Sequence, residues 1–298
     1  MIRCKNALTG AQEVYVQGKF SLEKWKTYIE KVFPGCASLF LSDVDSCLAT
    51  GKYTWEGDFL PVLEAVPGHP GLQEMERHFS AVTKGLEERV LSLFGCSMDV
   101  EIVLYLGLLN GAGWVTEVNG RLHVLLGAEK ILELGWQGMD AMRGLVWHEL
   151  GHVYQARWGT LERETENKEE VFVWQLFTEG VAMVFEQLLS GDDDYFHQDR
   201  DGWKAWCDAH FEQSLADFAA DLPHMTFQNQ RFFGDWASYE GKGDVGYYLG
   251  AKFVRHLMRK TPFDRLITWD TQQVYEQLSR YVQDICSAGK KMERLIPD

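Results

Sequence analysis

Apolar side chains recur at helical spacing from Leu22 to Val32 and again from Leu72 to Phe94, with Pro34 and the Pro67 to Gly71 stretch as breaks. The first ninety or so residues therefore read as helical. At Asp99 the texture changes. Val100, Ile102, Leu104, Leu106 and Leu108 alternate with Glu101, Val103 and Tyr105, a period of two that predicts a strand covered on both faces. Trp114 to Val118 and Arg121 to Leu126 follow, separated by Asn119 and Gly120, the dipeptide that most readily supplies the two positive φ angles of a tight hairpin. A small antiparallel sheet is expected at mid-chain. From Asp140 helical spacing returns and persists to Cys286, interrupted by the acidic loop Gly191 to Asp194 and the polar stretch Gly234 to Gly243. The pattern predicts an α+β, predominantly helical fold, with an N-terminal helical region over 1–95 and a second region over 96–298.

Chemistry concentrates just after the expected sheet. Residues 147–152 read Trp-His-Glu-Leu-Gly-His, so His148 and His152 stand one turn apart in a segment whose Met142, Leu145, Val146, Val153 and Ala156 form an apolar helical face. Both imidazoles point the same way. They can share one Zn²⁺ at about 2.0–2.1 Å each, while Glu149, one residue round the helix, can act on water without binding the metal. An HExxH arises by accident in on the order of one such chain in fifty, so the neighbours matter. Burying three ionisable groups among apolar residues without a metal or partners would cost several kcal/mol.

A hydrolytic zinc takes a third protein ligand and leaves its fourth position open. Glu179, in Phe177-Thr178-Glu179-Gly180-Val181-Ala182, lies in a segment from Val171 to Leu189 that is apolar nearly all round, where a carboxylate needs a cation. Glu186, two turns on, is the second choice, as a ligand or as a residue supporting one. Glu162, Glu164, Glu166, Glu169 and Glu170 also compete, but their polar run reads as a solvated connection.

Composition narrows the partners. The net charge of −15 repels phosphate backbones and anionic headgroups, which argues against nucleic acid and membranes as partners. Neither a secretory leader nor a membrane-length apolar run is evident, so a soluble, cytoplasmic chain is expected. The six cysteines form no CxxC pair and read as buried free thiols, with a Cys36 to Cys47 bridge left open. Asp192, Asp193 and Asp194 lack the alternating oxygen ligands of an EF-hand and read as a solvated loop. His197, His210, His224 and His256 are isolated.

The HELGH set followed by TEGVA on the next helix resembles the gluzincin metallopeptidases. More narrowly, the order of strand, Asn-Gly hairpin, HELGH helix, TEGVA helix and Gly246-Tyr247-Tyr248-Leu249-Gly250 is similar to a bacterial family of predicted Zn-dependent proteases, over roughly residues 95–260. The resemblance implies a gluzincin, thermolysin-like core with one zinc on His148, His152 and Glu179. It implies Glu149 as base and a peptide or protein substrate. It also makes the strand from Gly111 to Val118 the sheet edge along a cleft, where glycine admits a second backbone or merely relaxes a bend. Gluzincins place a Tyr or His opposite the metal as oxyanion donor; Tyr247 and Tyr248 are the candidates, with His224 behind them. The Gly-Ala-Met-Glu-Asn signature of related aminopeptidases is absent, the chain reading Asn110-Gly111-Ala112-Gly113-Trp114. A zinc hydrolase of another amide or ester, and a binding protein with a vestigial site, are the alternatives.

Overall fold

A computed structural model describes residues 1–163, 167–234 and 236–293, with side chains through 287. The chain divides into two compact units, Met1–Glu149 and Leu150–Asp298. It is mostly helical with a small mixed sheet.

The first unit opens with strand β1 (Ile2–Asn6) and a two-stranded hairpin, β2 (Tyr15–Val16) and β3 (Lys19–Phe20). Helices α1 (Leu22–Val32), α2 (Ala37–Ala49), α3 (Leu60–Ala65), α4 (Leu72–Thr83) and α5 (Leu86–Phe94) follow. Strands β4 (Val100–Tyr105), β5 (Gly113–Val118) and β6 (Arg121–Gly127) then lead to the short helix α6 (Ala128–Glu133) and into α7 (Met139–Trp158). The helical stretch expected from Leu72 to Phe94 is interrupted, because Gly85 adopts a left-handed conformation at φ 71 that no continuous helix can contain.

The sheet is mixed, not antiparallel. Its order is β1-β4-β6-β5, with β1 parallel to β4 and β4 parallel to β6; only the β5–β6 hairpin is antiparallel. The Asn119-Gly120 turn, at φ 51 and 76, sets that hairpin and nothing beyond it. β4, buried along most of its length, has the apolar character of a parallel strand covered on both faces, and its second neighbour comes from the far N-terminus. β5 lies at the end of the sheet, and among the described residues no strand pairs with its other side.

The second unit carries no strand among the described residues, apart from an isolated bridge between Tyr239 and Lys242. Helix α8 (Lys168–Ser190) is buried almost continuously from Phe172 to Leu189. It begins where the Asn167 side chain accepts the Glu169 N–H and ends at Gly191, left-handed at φ 77. Around it come α9 (Trp203–Ala209), α10 (Phe211–Asp221), α11 (Val245–Met258), α12 (Phe263–Leu266) and α13 (Thr271–Glu293), with α11 its principal neighbour. Among the described residues no helix is long and apolar enough to cross a membrane. All six cysteines are free thiols, but only Cys207 is buried and Cys4 is exposed, so burial is not what unites them.

Candidate metal centre

The two units meet in sequence within α7, between Glu149 and Leu150, and the helix runs through that point unbroken. His148 and Glu149 are therefore carried on the same rod as His152, one turn earlier. α7 is buried on more than one face around the motif: Val146, Leu150 and Val153 are inaccessible, and so nearly are Leu145, His148 and Glu149. His152 is the exception, with 13% of its side chain exposed.

Two glycines bring the site together. At Gly151, inside the HELGH motif, an added Cβ would stand 2.7 Å from the Ala182 Cα, so α7 and α8 approach closely only because a hydrogen occupies that place. One residue further along α7, His152 Nε2 lies 3.3 Å from Glu179 Oε2. Glu179 belongs to the least covered strip of α8, formed by Val171, Gln175 and Glu179, with 16% of its side chain exposed. At Gly113, in β5, an added Cβ would meet Glu149 Oε1 at 2.6 Å. The expected edge strand thus lies against the expected base, and the glycine makes room for that carboxylate.

Candidate ligand atoms of His148, His152 and Glu179 lie within 4.8 Å of one another. Two donors bound to one tetrahedral zinc at about 2.0–2.2 Å stand about 3.3–3.6 Å apart, which the His152–Glu179 separation satisfies. Two imidazoles and one carboxylate also match in chemistry what a hydrolytic zinc takes, so the residues present fit the ion. A second buried group, His148, Glu186 and His197, meets the same 4.8 Å condition and could likewise hold a metal ion. Here the spacing differs. Glu186 Oε2 accepts a hydrogen bond from His197 Nδ1 at 2.8 Å, and its Oε1 accepts the His197 backbone N–H at 3.3 Å. Burial lowers the His197 pKa to about 4, with Asp244 opposing the shift and Arg200 adding to it, so the imidazole is neutral near pH 7. His197 therefore is not isolated; a lone histidine seven residues beyond the end of α8 gives no sequence sign that the loop doubles back onto that helix.

The other candidates separate. Tyr248 is buried, its hydroxyl donating to Asp208 at 2.6 Å and its ring packed on Phe196, Trp203 and Phe211. Tyr247 is half-buried, with its ring on Phe233. His224 is exposed. Glu162 is exposed and Glu169 and Glu170 are half-buried, whereas Glu164 and Glu166 lie outside the described residues. Asp192, Asp193 and Asp194 are exposed, with Asp193 paired to Arg255 at 2.7 Å and Asp194 to Lys204 at 3.3 Å. No protein-family model, curated protein or solved structure matches the chain.

Proposed function

We propose that this protein is a zinc-dependent peptidase of gluzincin type, binding one zinc through His148, His152 and Glu179 and using Glu149 as general base. The observation that carries the reading is the 3.3 Å approach of Glu179 to His152, one turn beyond His148 and made at half-buried positions of two largely buried helices. A structural ion pair would gain nothing from partial exposure, whereas a hydrolytic centre needs access for water and substrate.

When bound, zinc supplies Lewis acidity, which makes water easier to deprotonate and polarises the carbonyl under attack. Glu149 takes a proton from the attacking water as its oxygen bonds to the carbonyl carbon, then delivers that proton to the amine as the C–N bond breaks. β5 favours a peptide as substrate: the open edge of an end strand offers N–H and C=O groups to an extended chain, and it does so beside Glu149. Tyr247, half-buried at the start of α11, is the preferred oxyanion donor, whereas Tyr248 is buried with its hydroxyl donating to Asp208.

Metal analysis with point variants tests the reading. The purified protein should hold one zinc per chain, lost in His148→Ala and weakened at least about tenfold in Glu179→Ala. Glu149→Gln should keep the zinc and lose at least about 100-fold in cleavage of a peptide library. Protein refolded with zinc that binds none would overturn the proposal. Cleavage of esters or small amides without peptides would reassign the substrate.

A further inference from the structure

Glu186 has a fully buried side chain, and the pair it forms with His197 is used by nothing in the hydrolysis described above. Replacing a buried ionisable pair by apolar groups of similar volume is often neutral or stabilising, so its presence in the most apolar stretch of α8 calls for a role. Two roles are open to a carboxylate and two imidazoles: a second metal site, or a hydrogen-bonded support for the first.

Distance separates them. Donors sharing one tetrahedral ion stand about 3.3–3.6 Å apart, and the Glu186–His197 contact at 2.8 Å is shorter than that and typical of an N–H···O bond. The same residue clamps Glu186 twice, through its ring and through its backbone N–H, so the carboxylate is held before any ion arrives. Glu179 and Glu186 are seven residues apart on one face of α8, about 10 Å along its axis. His148 is common to both groups. The two ring nitrogens of an imidazole lie on opposite edges of the ring, so one histidine has a separate nitrogen to offer each of two carboxylates so far apart.

We infer that Glu186, held by His197, is a positioning residue that accepts the second ring N–H of His148 and so fixes the tautomer and orientation in which His148 meets the metal. This rests on the zinc reading above. A ligating imidazole whose other N–H donates to a carboxylate is more basic and better oriented, and loss of such a partner typically weakens metal binding 10–100-fold. The geometry also gives the loop after α8 a purpose. Gln187 donates to the Tyr195 carbonyl at 3.2 Å and Arg255 spans Gln187 at 2.9 Å and Asp193 at 2.7 Å, contacts that turn the chain back and return His197 to Glu186.

The test is metal titration of the full-length protein with Zn²⁺ and, for its visible spectrum, Co²⁺. Glu186→Gln keeps the volume but sets an NH₂ against one of its donors, and should leave one metal per chain bound 10–100-fold more weakly, with a shifted Co²⁺ absorption band. The double variant Glu186→Met/His197→Phe removes the buried pair while filling its space. It should fold as well as wild type without metal and show the same weakened binding. Two ions in the wild type, one of them lost in these variants, would overturn the inference in favour of a second metal site. Unchanged affinity and an unchanged Co²⁺ band in the folded double variant would also overturn it. A wild type that binds no metal would instead fail the zinc reading itself.

Discussion

Gly180 and Gly250 touch backbone to backbone where α8 meets α11: a Cβ added to either would stand 2.9 Å from the other's Cα. These are the glycines of the two short motifs TEG and GYYLG, and each sits beside a candidate functional residue. Glu179 immediately precedes Gly180, and Tyr247 is one turn before Gly250. In an open helix Gly→Ala would stabilise by up to about 1 kcal/mol. Here the methyl has no space, so Gly180→Ala should destabilise by about 1–3 kcal/mol in urea unfolding and weaken zinc binding as Glu179 is displaced. A variant that is more stable than wild type would show that the crossing yields without cost.

The contact between Gly113 and Glu149 predicts a different phenotype. The Gly113→Ala methyl would press on the Glu149 carboxylate, 2.6 Å from Oε1 and 2.8 Å from Cγ. The ligands are untouched, so zinc content should stay at wild-type level while peptide cleavage falls at least about tenfold, through misplacement of the base. Zinc loss, or full turnover in a variant with intact zinc, would remove the role assigned to this glycine.

The tyrosines should separate in opposite directions. Tyr248→Phe deletes the hydroxyl that donates to Asp208 and should cost about 1 kcal/mol of stability with kcat maintained. Tyr247→Phe should lower kcat by about 100-fold, the usual loss for an oxyanion donor and far more than Tyr248→Phe costs in turnover. Thermal unfolding and steady-state kinetics on both proteins decide it, and the reverse result would exchange the assignments.

How much of this was readable in the chain depended on how local the responsible interaction was. His148, Glu149 and His152 owe their relation to helix periodicity alone, and Asn119-Gly120 encodes its own turn. Glu179 stood out because a carboxylate in an apolar helix is costly without a partner. β1 was not readable. It is short and half-exposed, and its partner β4 lies across all of α1 to α5. Gly151, Gly180 and Gly250 were visible as residues but silent in meaning, since a helical glycine reads the same whether it weakens a helix or admits a neighbour. Glu129 gave no signal, because its burial follows from a loop that folds onto it.

That loop supplies the last prediction. The Glu129 carboxylate, in the first turn of α6, accepts the backbone N–H of Gly107 at 2.8 Å and of Leu109 at 3.0 Å, pinning the connection that leads from β4 toward Gly113. Burial raises its pKa to about 7, opposed by the N–H donors of Leu109, Glu129 itself and Gly107 and by the charge of Lys130. In the unfolded chain the group returns to the ordinary glutamate value of about 4.3. Between those two values the folded state binds the extra proton, so this residue favours folding below about pH 4.3, and that advantage is lost as pH rises to 7. The change amounts to at most about 4 kcal/mol. Urea unfolding of wild type and Glu129→Gln at intervals from pH 5 to 8 should give a wild-type stability that falls more steeply with pH than that of the variant, with parallel curves above pH 7.5. The amide cannot ionise, and its NH₂ faces one of the two N–H donors, so the variant should be less stable than wild type at pH 5, with the gap narrowing as pH rises. Parallel curves across the whole range would mean that Glu129 stays ionised in the folded protein, its N–H donors outweighing burial.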